Sequence, residues 1–290
     1  MVITTNRILP GTGLLAVLCC VLLNSSVQAQ PGTESVLDVA PGDTILYLVK
    51  SSYSIQSQLE SVEEEQKMQS LETMVVDSIV GDSIFWTVRM MLVESEVNGR
   101  STEQPGALPL LLSHRVTDLS GALVREWDGR LAPENKDKQI PQVGTSPLGK
   151  GPDRFLTKDM ASRKPGERWQ ESWADTLDPE QDGTPATVIM NQTIEYECGG
   201  VVDTLGERTL RISYRSVDMN YVSSSELPGT GVQMVLRGEG EMEGVLYYST
   251  GSRLTLLDMR DTDLNQFYDT GGPSQLSIEV HEHSVRSLLR

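Results

Sequence analysis

Residues 231–263 read GVQMVLRGEGEMEGVLYYSTGSRLTLLDMRDTD. From Val232 every second position is apolar or glycine, through Met234, Leu236, Gly238, Gly240, Met242, Gly244 and Leu246 to Tyr248. Gln233, Arg237, Glu239, Glu241 and Glu243 stand between them. Alternation with a period of two is the mark of a strand with one buried and one wet face. Ser249-Thr250-Gly251-Ser252 supplies a turn, and Arg253 to Asp258 begins a return strand. Three glycines fall on the apolar side, where they let a strand bend or let another group approach its backbone. The stretch therefore predicts a long β-hairpin in a curled sheet.

Similar patterns recur on either side. Thr44–Lys50, Tyr53–Leu59, Met68–Val80, Ser83–Glu94, Leu110–Thr117 and Ala122–Trp127 read as strands of a first half. Ser61–Gln66 is acidic and reads as a solvated connection, and Val97–Pro109 as a loop. Trp169 and Trp173, Thr187–Cys198 before Gly199-Gly200, Arg208–Val222 and Gln275–His283 make up the second half around the hairpin. In Arg208–Val222 the apolar phase slips near Arg215-Ser216, which predicts a β-bulge. Residues 129–167 are dense in proline and glycine, which excludes long regular structure, although a short helix fits Pro152–Ala161. The expected fold is mainly β: a curled antiparallel sheet, half-barrel or open barrel, with little helix. The expected domain is residues 30–290, built of halves at about 43–128 and 168–285 joined by the crossover.

The first 29 residues read as a signal peptide: Arg7, an apolar run Leu14–Leu23, then Val27-Gln28-Ala29 as a cleavage site. Leu18 before Cys19 departs from a lipobox, so no lipid anchor is expected, and no transmembrane segment in the mature chain. Cys198 then remains alone, in phase with Val188, Met190, Ile194 and Tyr196, and reads as a buried thiol. The chain has 290 residues, 38% of them hydrophobic, and a net charge of -17. That charge repels phosphate backbones, so no nucleic-acid partner is expected.

Chemistry-bearing patterns are sparse. His281-x-His283 with Glu279 on one strand face could hold zinc, but the apolar residues Leu276, Ile278 and Val280 point the other way and make this a wet outer face. Asp261-x-Asp263-x-Asn265 opens like a calcium loop and then loses the glycine and the closing glutamate. Asn191-Gln192-Thr193 matches a glycosylation sequon. Neither Gly-x-Ser-x-Gly nor Ser-x-x-Lys occurs. The reading assigns no metal, no cofactor and no enzymatic activity. The remaining candidate is the apolar face itself: Met190, Ile194, Tyr196, Ile212, Tyr214, Met234, Leu236, Gly238, Gly240, Met242, Leu246 and Tyr248. A curled sheet fills such a face with its own side chains or with a ligand.

The order of features resembles bacterial secreted proteins similar to the LolA/LppX group of lipoprotein and lipid carriers: signal peptide, long strands, a Pro165-Gly166-x-x-Trp169 restart, then Gly238-x-Gly240 running into Tyr247, Tyr248 and Gly251. The resemblance implies a half-barrel around a cavity for acyl chains. It thus implies a non-enzymatic periplasmic or secreted protein that binds a hydrophobic ligand through the face above, with no protein partner identified. The alternatives are an envelope interaction or scaffold module with a self-filled core, and a hydrolase outside the known motifs.

Overall fold

The computed structural model describes residues 37–57, 63–101, 108–121, 123–128, 160–177, 180–181, 184–226, 233–269 and 276–289. The segment read as a signal peptide and most of the residues read as a crossover lie outside them. Thirteen strands are described: β1 (Thr44–Ser57), β2 (Glu63–Val80), β3 (Ser83–Val97), β4 (Arg100–Ser101), β5 (Leu108–Asp118), β6 (Leu123–Asp128), β7 (Arg168–Leu177), β8 (Glu180–Gln181), β9 (Thr184–Thr204), β10 (Glu207–Glu226), β11 (Gln233–Ser249), β12 (Thr255–Asp269) and β13 (Leu276–Leu289). The only helical element among the described residues is a 3-10 turn, Met160–Ser162. The helix expected at Pro152–Ala161 lies almost wholly outside the described residues.

The main ladder is antiparallel throughout and runs β6-β5-β3-β2-β1-β13-β12-β11-β10-β9-β7. The first and last described strands therefore meet in its middle, with Leu46 opposite Leu289 and Ser57 opposite Ile278. Among the described residues the ladder ends at β6 and β7 and is not closed. The mainly-β antiparallel expectation holds.

The 231–263 hairpin is β11 and β12, and it is longer than the alternation predicts, because the polar run after Asp263 continues pairing to Asp269. The acidic run expected to be a connection instead begins β2 at Glu63, opposite Gln56. Glu63 and Glu65 are exposed on the face opposite buried Gln66, while Glu64 shares the phase of Gln66 and is half-buried. Asn98-Gly99, at φ 50° and 75°, is a tight turn into β4 inside the expected loop. Gly199-Gly200 does not end a strand: the register slips there against Arg211-Ile212, and β9 continues to Thr204. The bulge near Arg215-Ser216 is present, as shifts against both neighbouring strands.

Alternation sorts the side chains into two apolar clusters on one face. One gathers β9–β11 with Met160 and Leu264; the other gathers Leu37, Ile45, Tyr47, Val76, Ile84, Trp86 and Val88. Trp86, Tyr196, Ile212 and Leu246 are all at most 2% exposed. This inner face packs largely on itself, as the glycines of β11 make clear.

Candidate functional site

A Cβ at Gly238 would lie 2.0 Å from the Tyr221 ring. At Gly240 it would lie 2.3 Å from the Asp263 carbonyl and 2.9 Å from Met219 Cε; at Gly244, 2.4 Å from both the Met259 carbonyl and the Tyr214 hydroxyl. None of the three has a positive φ, so the glycines serve space and not backbone freedom. Side chains of β10 lie across the bare strand and fill it. Of the residues assigned to the apolar face, Met190, Ile194, Tyr196, Ile212, Tyr214, Met242, Leu246 and Tyr248 form one buried cluster with Cys198. Leu236 packs against its margin, and Met234 is half-buried. Trp169 stacks on Tyr196 at 5.1 Å.

Burial raises the hydroxyl pKa of Tyr221, with a further push from Tyr268, and burial likewise raises those of Tyr53, Tyr248 and Tyr268. A phenol with a raised folded pKa contributes stability that is complete below the unfolded value near 10 and is lost as pH rises beyond it. Denaturant unfolding at pH 8 and pH 11 is expected to show a marked loss at pH 11. Tyr221→Phe should reduce that loss and be neutral or slightly stabilising at pH 8, because the Tyr221 hydroxyl has no partner among the described residues. An equal loss at pH 11 in both proteins would contradict this.

Between the two apolar clusters the inner face carries a spine of charge that reading the sequence did not find. Tyr214 donates to Asp258 at 2.7 Å. Arg260 donates to Glu282 at 3.2 Å, and Tyr53 donates to the same oxygen at 3.4 Å. Arg286 grips Glu72 with two bonds of 2.8 and 3.1 Å while lying 3.5 Å over the Tyr47 ring, and Arg115 stands 3.8 Å from Glu72. Three guanidiniums thus face three carboxylates. Burial alone would push the Arg260 pKa down, but Glu282, Asp258 and the nearby phenols outweigh it and hold the group charged. The signal was present in the sequence: Asp258, Arg260 and Thr262 share the phase of Leu256 and Leu264. The same phase sends Asp261, Asp263 and Asn265 outward on a strand, which removes the calcium-loop reading.

The outer face carries exposed charges together with exposed apolar residues such as Val93, Ile189 and Val222. Arg168 pairs with Glu197 at 2.7 Å and Arg215 with Glu195 at 2.8 Å, both exposed. His283 Nδ1 bonds Asp261 at 2.7 Å, and His281 Nδ1 bonds Asp263. Beside them is a groove of about 410 Å³ crossing β13, β1, β2 and β3. Two cross-strand rows line it: His283, Ser52, Lys67, Glu96, and Val285, Lys50, Gln69, Glu94. The ladder slips between Gln69-Ser70 and Glu94-Leu92, which leaves Val93 as an extra residue and bends β3 beside the groove. Lys67 stands 3.8 Å from Glu96, whereas Lys50 has no ion pair among the described residues.

No family model matches this chain, and no curated protein matches it. Solved structures to which it is similar include outer-membrane β-barrel proteins. Neisserial surface protein A shares 8% identity over 84% of this chain and 96% of that chain, with a TM-score of 0.22. Pseudomonas aeruginosa OccK2 (OpdF) shares 9% over 86% and 100%, with a TM-score of 0.31, and OccK5 (OpdH) of the same organism 9% over 87% and 100%, at 0.25. The expected LolA/LppX resemblance is corrected by this finding, because the similar structures belong to a different class of protein. The hydrophobic-ligand carrier and the periplasmic or secreted placement that followed from that resemblance are withdrawn with it. The filled glycine track agrees, since Tyr221, Met219 and Tyr214 occupy the room an acyl chain would need.

Proposed function

We propose that the chain is a non-catalytic recognition protein that binds a small hydroxylated carboxylate in the groove of β13, β1, β2 and β3. The observation that carries the reading is the Lys50–Lys67 pair lining a 410 Å³ recess in a protein of net charge -17. Lys50 is available for the carboxylate. Ser52, Gln69, Glu94 and Glu96 offer partners for hydroxyl groups. The surrounding acidic surface disfavours anions elsewhere and so sharpens the preference for this place. A channel is the weaker reading, because the charged outer strands would have to meet lipid. An Arg or Lys there costs about 2–4 kcal/mol at the bilayer midplane.

Titration calorimetry with a panel of sugar acids tests the proposal. Binding is expected at low salt, weakening as salt screens the charge. Lys50→Ala should weaken it about tenfold, the loss of one charge-assisted bond. The reading fails if no member binds at millimolar concentration, or if Lys50→Ala binds as the parent does. Stepwise conductance in planar bilayers would also overturn it and return the chain to the channels.

A further inference from the structure

We propose that His281 and His283 form a binding site for a borderline divalent transition-metal ion (Cu2+, Ni2+ or Zn2+) on the outer face of the sheet. Residues two apart on a strand project to the same side, roughly 6.6 Å apart along the chain. The strand places both imidazoles in water, each 54% exposed, so an ion reaches them freely.

What the sequence could not supply is the support behind each ring. His281 stands opposite Asp263, and His283 opposite Asp261, on the neighbouring β12. Each Nδ1 bonds its aspartate. An ionised carboxylate only accepts, so in the neutral imidazole Nδ1 carries the hydrogen and Nε2 keeps the lone pair. Neither Nε2 has a partner among the described residues. Carboxylate, imidazole and open Nε2 are the arrangement in which metal-binding histidines are oriented and made more basic. Both aspartates lie on β12, so each ring is held by its Nδ1 toward the same neighbouring strand.

Glu279, two residues before His281, and Glu241 and Glu243, opposite Asp263 and Asp261, add negative potential that favours a cation. Among the described residues no three His, Cys, Asp or Glu side chains converge on one point. Two imidazoles with water completing the shell therefore make an exposed, exchangeable site. Imidazole ligation selects the ions named, with Cu2+ the tightest.

The test uses the full chain without a polyhistidine tag, stripped with chelator and titrated with CuCl2 or NiCl2 alone. One ion per chain is expected, with copper tighter than nickel. His281→Ala and His283→Ala should each weaken binding at least tenfold. Asp261→Asn with Asp263→Asn should weaken it 10–100-fold while leaving both imidazoles in place. Stoichiometric binding that survives both histidine substitutions would overturn the proposal, as would a parent chain that binds no more tightly than the double histidine variant. His281 does not line the groove, so His281→Ala separates this site from carboxylate binding.

Discussion

Arg260→Met is expected to lower the unfolding free energy by about 3–5 kcal/mol, the usual cost of removing one partner from a buried ion pair. Arg260 is the cation that contacts Glu282, and it lies beside Asp258 and the hydroxyls of Tyr214 and Tyr53. Methionine fills much of the same volume, so the loss is mainly electrostatic: the Glu282 carboxylate is left buried with only the Tyr53 hydroxyl. Adding Glu282→Gln removes the orphaned charge and should recover more than half of the loss. Urea unfolding of the parent, the single variant and the double variant at pH 7 measures both effects. A loss below about 1 kcal/mol in Arg260→Met would mean that water already solvates this pair.

Gly244→Ala is expected to cost about 2–4 kcal/mol. Overpacking a tight core costs about 1–3 kcal/mol, and the new methyl would have to displace either the Met259 carbonyl or the Tyr214 hydroxyl. The carbonyl belongs to the ladder, so the hydroxyl yields, and its bond to Asp258 is lost as well. The cycle with Tyr214→Phe exposes this coupling: once the hydroxyl is gone, Gly244→Ala should cost markedly less. Gly251→Ala is the control, because its methyl would meet only Ser249 Oγ, at 3.7 Å, and its φ is not positive. Additive costs in the cycle would refute the shared contact.

The hairpin at 231–263 was legible because its alternation reports directly on a two-faced strand, and the bulge because a phase slip can arise in few other ways. The acidic start of β2 was not legible: Glu63-Glu64-Glu65 has no apolar partner to set its phase, and only pairing with β1 makes it a strand. The charged spine was hidden for a related reason. Asp258 and Arg260 look solvated until strand order brings Glu282, Tyr53 and Tyr214 around them, and they come from β13, β1 and β10. Likewise, His281-x-His283 was visible as a pair, but the aspartates that orient the rings belong to another strand. What contacts across the ladder determine is out of reach of a periodicity within one segment.

The central ladder has a consequence for biosynthesis. β1 is made early and waits for β13, the last described strand to leave the ribosome, before the middle of the sheet exists. The two halves, β1–β6 and β7–β13, can each form from neighbouring hairpins, but joining them requires contacts of very large sequence separation, which are slow to close. Until they join, β1 and β13 are bare edges, open to pairing with another chain. The ion pair of Glu72 with Arg286 and the bond of Tyr53 to Glu282 both cross this junction. A slip of one residue would turn these groups to the wrong face. Charge at the junction thus checks the register of the final step of assembly.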